Sequence, residues 1–420
     1  MTPRSDVRGL LRSGAGIAVA MGVMNVATYG FTMLAARILG PRSYGALAGL
    51  MATLLVISVL QLGLQATAAR RISADPEHVD QIESSILRVT YRSAVGLGLI
   101  LLALSPLLNL ILRLESLPTA ALIALTAVPV TVMGGQAGVL QGERRWGALS
   151  AMYIAAGVPR LFLGLALMLF SPTEASAMTA VALGAFAPLA VGFWALRGIR
   201  PEGRLHERHA TGPVIRETIQ NSQALFAFFA LSNVDVIVAR NVLDDHDAGL
   251  YAGGLILVKA VLFLPQFVVV VAFPAMSTAS ERRRALTRSL TLVALLGVVS
   301  TLGAWLLPEL ALVFVGGDDY GEISGRLWIF AVIGTLLSML QLLVYAVLAR
   351  QGQRSVYLVW LALAVLVGVG YTTVSTLSGL LALVLAVDLT LFALLIGISL
   401  YLVAEPAAAE MPDEVPGFGQ

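Results

Sequence analysis

Twelve runs of roughly twenty predominantly apolar residues recur along this 420-residue chain, separated by short breaks rich in arginine, glycine, proline or acid. Their approximate extents are 13–36, 44–69, 93–112, 119–141, 147–170, 175–196, 219–239, 249–272, 289–307, 323–349, 356–375 and 379–403. A helix needs about 20 such residues to cross the hydrocarbon core, and within lipid a backbone must satisfy its own hydrogen bonds. The expected fold is therefore all-α, a polytopic membrane protein of about twelve transmembrane helices. Composition agrees: 58% of residues are hydrophobic and 12% charged, where a soluble domain carries about 25% charged residues. A net charge of +2 provides no basic face for nucleic acid. With no cysteine in the chain, a disulfide framework, a thiolate metal site and a thiol nucleophile are all excluded.

Arg4, Arg8 and Arg12 precede the first run, which is too long for the apolar core of a signal peptide and reads as a retained helix. An even number of spans puts both termini on one side. That side, with the even-numbered loops, carries twenty of the arginines; the opposite side carries Arg37, Arg42, Arg113, Arg240 and Arg326. The positive-inside rule makes the arginine-rich side, and both termini, cytoplasmic. Within 75–92, Asp75 as N-cap, Pro76 at the first helical position and Val79, Ile82, Ile86 and Val89 predict a short amphipathic helix along the cytoplasmic face, running into the third span. Residues 197–218, with Pro201, Gly203 and Pro213, read as a cytoplasmic linker between bundles at 1–196 and 219–403. The acidic, proline-containing tail 404–420 reads as disordered.

The two bundles are related by an internal repeat. Ala36-Arg37 ends the first span and is followed by Gly45-Ala46-Leu47-Ala48-Gly49; Ala239-Arg240 ends the seventh and is followed by Gly249-Leu250-Tyr251-Ala252-Gly253. Gly142-Glu143-Arg144 after the fourth span matches Gly352-Gln353-Arg354 after the tenth. Six spans per repeat return the second half in the same orientation, so the bundles are parallel, related by an axis along the membrane normal and arranged around a central cavity. The Gly-x3-Gly pairs read as helix-packing motifs.

Polar residues inside spans are costly and face protein or a wet cavity. Asn25, Tyr29 and Thr32 share one face of the first span, and Ser58, Gln61 and Gln65 one face of the second. Ser232 and Asp235 do so in the seventh, Lys259 and Gln266 in the eighth. Lys259 is the only lysine, about ten residues inside its span; it serves substrate or coupling, or else neutralises Asp235 or Asp388. Arg160 follows Pro159 in the fifth span, and Asp388 in the twelfth reads as a helix–helix partner or an ion-coupling group. A P-loop is excluded because Val258 precedes the sole lysine. Asp244-Asp245-His246-Asp247 reads as a solvated acidic turn rather than a metal cluster, and His206 and His209 as linker residues. No G-x-S-x-G or H-E-x-x-H motif occurs, so neither an enzyme nor a cofactor or metal requirement is expected.

Ala36-Arg37-Ile38-Leu39-Gly40-Pro41 with Tyr44-Gly45 resembles the first-loop signature of polysaccharide flippases in the multidrug/oligosaccharidyl-lipid/polysaccharide (MOP) exporter superfamily. Asn233-Val234-Asp235 through Arg240, then Gly249-Leu250-Tyr251-Ala252, Lys259, Leu264-Pro265-Gln266 and Phe273-Pro274, is similar to the matching stretch of polysaccharide biosynthesis proteins in high-GC bacteria. The resemblance implies a V-shaped pair of six-helix bundles opening alternately to each side of the bacterial plasma membrane. It implies an undecaprenyl-pyrophosphate-linked oligosaccharide as substrate, carried without ATP, with a coupling cation (H+ or Na+) and a polysaccharide polymerase as partner. Lys259, Arg160 and Arg37 would be the donors to pyrophosphate; Asn25, Gln61, Gln65 and Gln266 would meet sugars; Asp235 and Asp388 would couple the ion. The rival readings are an ion-coupled multidrug or cation exporter of the same superfamily and a membrane glycosyltransferase or polymerase.

Overall fold

The computed structural model describes residues 14–197, 211–263, 282–349 and 353–404. Twelve long helices follow in order: α1 (14–39), α2 (41–74), α3 (Val79–Ala103), α4 (Leu117–Gly142), α5 (Trp146–Phe170), α6 (Glu174–Ala195), α7 (Thr211–Val242), α8 (Asp245–Phe263), α9 (Arg282–Leu306), α10 (Leu327–Ala349), α11 (Gln353–Thr373) and α12 (Leu377–Ala404). No strand occurs among the described residues. The first two helices run on as Gly14–Ala74 and are parted only at Gly40, whose φ of 68° lies in the region a residue without Cβ adopts at no steric cost. Pro41 then opens α2, where its missing N–H costs nothing. The start of α7 at Thr211 lies inside the stretch read as linker, whose residues 198–210, like the tail 405–420, lie outside the described residues.

The 75–92 segment differs from the sequence reading. A single 3-10 turn, Pro76–His78, leads into one unbroken helix to Ala103. Asp75 makes no side-chain cap bond; its carboxylate pairs with Nδ1 of His78 at 2.8 Å. Ile82, Ile86 and Val89 are fully buried with Leu64, Ala68 and Ile72 of α2, Val139 of α4 and Val214 of α7. The apolar stripe is the inner face of the third helix, not a surface-lying helix, because periodicity alone does not say whether a stripe meets lipid or another helix.

Both halves contain a feature the repeat matching missed. After α3 the chain turns at Leu104 into Ser105–Ile111, and after α9 it turns at Leu307 into Pro308–Val315. Each short helix has proline in its first turn, at the spacing of the other repeat matches.

Small residues set the packing. Gly134 and Gly138 of α4 lie against the backbone of Gln61 and Gln65 in α2, and Gly157 of α5 lies against Met24 of α1. In the second half, Gly334 of α10 lies against Val258 of α8. Between halves, the first glycines of the two Gly-x3-Gly pairs meet each other: a Cβ on Gly45 would come within 3.0 Å of the Gly249 Cα. The packing role read for these glycines is what the structure shows. At the other end α2 packs on α7, where Thr218 donates to Thr67 at 3.4 Å and Gly63 faces Ser222.

Candidate functional site

Two polar centres lie within the helices, one in each half. In the second, Asp235 of α7 is buried and fully engaged: the hydroxyl of Tyr251 in α8 donates to its Oδ2 at 2.7 Å, and the Val236 amide donates to its Oδ1 at 2.9 Å. Asp388 of α12 faces the same group, is equally buried, and its Oδ2 has no hydrogen-bond partner. Lys259, two turns after Tyr251 on α8, lies within electrostatic reach of Asp235 and forms no hydrogen bond or ion pair among the described residues. Lys259 thus acts on Asp235 at longer range than a direct ion pair, while the hydrogen bond to Asp235 comes from Tyr251. Three helices thereby bring two carboxylates, a phenol and an ammonium together, a set able to exchange a proton or hold a monovalent cation.

The centre of the first half is Arg160. Its Nη2 donates to the Thr28 hydroxyl of α1, its guanidinium lies 5.5 Å from the centre of the Phe31 ring, and its Nε is buried without a partner. No carboxylate stands within ion-pair distance of it among the described residues. Elsewhere in this half, Gln65 donates to Gln141 at 2.9 Å and to the Tyr153 hydroxyl at 2.8 Å. Gln61, one turn earlier, packs on Gly134.

The structure joins some of the predicted residues and separates others. Asp235, Asp388 and Lys259 share one centre; Arg160 of α5 reaches across to Thr28 of α1, one turn from Asn25. Arg37 is exposed at the end of α1, beside Gly317, about two turns beyond Thr28 and Phe31, the partners of Arg160. Gln266 lies outside the described residues. Thr32 and Ser58 bond back to carbonyls of their own helices, Thr28 and Leu55, as hydroxyls in apolar helices do. The acidic turn is an N-cap: Asp244 Oδ1 accepts from the amides of His246 and Asp247, each at 2.9 Å. Tyr29 instead donates to the Phe314 carbonyl at 2.9 Å and borders a cleft of about 390 Å³ between α1, α8, α9 and Pro308–Val315. That cleft is apolar, lined by residues such as Leu257, Val261, Ala304 and Phe314, and none of the predicted charged residues reaches it.

Thr28, Tyr251 and Tyr153 were not anticipated. Tyr251 carried a signal, since it sits between the two glycines of the second-half repeat; a single hydroxyl such as Thr28 carried none.

Twelve helices in two bundles, with charged groups between them, give the fold found in transporters of the MOP superfamily. The fold matches an inward-facing multidrug MATE transporter of that superfamily with a TM-score of 0.71 at 13% identity, covering 96% of this chain and 99% of the other. An outward-facing MATE structure matches at 0.62 and 15% identity, covering 95% and 96%. A MOP transporter from Pyrococcus furiosus, described as having a binding pocket of reverse polarity, matches at 0.62 and 15% identity, covering 96% and 99%. The chain belongs to the polysaccharide biosynthesis protein family, whose sequence model matches residues 10–280. No curated protein matches it.

Proposed function

We propose that this protein is a flippase that moves an undecaprenyl-pyrophosphate-linked oligosaccharide across the bacterial plasma membrane by alternating access, and that it performs no catalysis. Arg160 carries the reading. A guanidinium even half-buried in an apolar helix bundle is costly without a counter-charge, and this one has a hydroxyl and a ring but no acid beside it among the described residues. A substrate pyrophosphate supplies the missing anion, and arginine holds such oxygens through a planar fork of donors. Lys259, with no hydrogen bond among the described residues, is the second cation. The amides of Gln61 and Gln65 and the Tyr153 hydroxyl offer the donors and acceptors that sugars require. On the arginine distribution both termini are cytoplasmic, so the end closed by Gly45 and Gly249 faces out. The polymerase that consumes the exported repeat unit is the expected partner, and H+ or Na+ the coupling ion.

One observation favours the alternative of a cation exporter: the unpartnered oxygen of Asp388 beside Asp235 would also suit a cationic drug. Purified protein in liposomes distinguishes the two. Transfer of a fluorescent lipid-linked oligosaccharide is expected, lost in Arg160→Ala and partly kept in Arg160→Lys. Uptake of a cationic dye, with no oligosaccharide transfer, would overturn the flippase reading. In cells, Lys259→Ala should abolish complementation of a flippase-deficient strain at normal membrane level, and Lys259→Arg should retain part of it. A fall in protein level instead would mark Lys259 as structural.

A further inference from the structure

At the end of the molecule that carries the α1–α2 and α7–α8 turns, each half reaches across to the other's third-helix turn. The guanidinium of Arg240, at the end of α7, is almost fully buried; Nε and Nη2 donate to the Leu112 carbonyl at 3.1 and 3.0 Å, and Nη2 also to the Arg113 carbonyl at 2.7 Å. Asn241 Nδ2 donates to the Ile111 carbonyl at 2.9 Å. Arg113, at a φ of 48°, replies by donating to the Asn241 carbonyl at 2.8 Å. Its own turn follows the short helix Ser105–Ile111.

The repeat-related contact uses other chemistry. The α1 end, Ala36-Arg37, meets the turn after Pro308–Val315: the Tyr320 hydroxyl donates to the Ala36 carbonyl at 3.2 Å, and Arg37 lies beside Gly317. Tyr320 is fully buried and meets Tyr44 of α2 edge-on, with ring centres 6.5 Å apart.

We propose that these two contacts are a reciprocal lock that holds this end of the transporter closed, and that the Arg240 clasp is its stronger member. Helix ends and turns of opposite halves must separate for this end to open, and every bond named above crosses that boundary. Charge-assisted bonds to carbonyl oxygens are stronger than neutral ones, so the arginine side resists separation more than the tyrosine side. Arg240 lies five residues after Asp235 on the same helix, so any displacement of α7 at the buried carboxylates is carried directly to the lock. Arg37 lies six residues after Phe31, the ring beside Arg160, on α1.

The chain has no cysteine, so spin labels on Glu115→Cys and Asp319→Cys, exposed positions in opposite halves, read this separation directly. In lipid nanodiscs the parent should give a single short distance distribution. Arg240→Ala should raise a longer-distance population by about tenfold, as loss of charge-assisted hydrogen bonds supplies. Arg113→Ala, which removes an exposed side chain, should do so less, and Tyr320→Phe, which removes one hydroxyl, least. Should Arg240→Ala fail to fold, Arg113→Ala and Tyr320→Phe decide the matter alone. Unchanged distributions in the variants that fold would overturn the lock. The readout contains no substrate, so its outcome is independent of what the protein carries.

Discussion

Asp235 and Asp388 are both buried aspartates, yet their hydrogen bonding differs. Asp235 has a donor on each oxygen, so removal of one donor should be felt as instability. Tyr251→Phe leaves the Asp235 Oδ2 buried without its partner, a cost of roughly 1–3 kcal/mol; thermal unfolding in detergent should show a lowered Tm. Asp388 keeps an oxygen open, which is where an entering proton or cation would bind. Asp388→Asn should therefore leave Tm near the parent value and flatten the pH or Na+ dependence of transport in liposomes, and retention of full ion dependence would remove Asp388 from coupling. These charges were legible in the sequence because an ionised group in an apolar run has few innocuous explanations. The hydroxyls of Thr28 and Tyr251 were not, since such groups commonly bond their own backbone, as Thr32 and Ser58 do.

At the scale of helices, the third shows where pattern reading stops. Val79, Ile82, Ile86 and Val89 describe an apolar stripe whichever surface covers it, and the structure covers it with α2, α4 and α7. Ile86 is fully buried, so Ile86→Ala should cost roughly 2–5 kcal/mol; a helix lying in the membrane interface would lose far less. Chemical denaturation followed by tryptophan fluorescence separates these outcomes. The turns were more readable: Gly40-Pro41 parts α1 from α2 because only those residue types serve that backbone and that helix start. The short helices after α3 and α9 carry no separate apolar signal: Pro106 falls inside the run 93–112 and Pro308 just past the run 289–307, although the two prolines hold matching places in the repeat.

For the whole molecule, the arginine distribution gives a prediction independent of any site. Glu322→Cys, in the exposed connection before α10, should be labelled by an impermeant thiol reagent added outside cells, and Arg144→Cys, in the exposed connection between α4 and α5, only after permeabilisation. The reverse pattern would invert the topology.

Helix number, helix class, the twofold repeat and the charges set inside apolar runs follow from the chain alone, because lipid enforces helices of a set length and penalises every charge placed in them; the burial of Arg240 at a helix end does not. Which charges meet was decided in three dimensions. Asp235 takes its donor from a tyrosine sixteen residues on rather than from Lys259, Arg160 finds Thr28 across more than a hundred residues, and Arg240 reaches the turn of the opposite half. Such pairings depend on the rotation of each helix about its axis and the depth at which its glycines let neighbours approach. One helix's sequence constrains its own faces, but the partner of each face is chosen only when all twelve pack together.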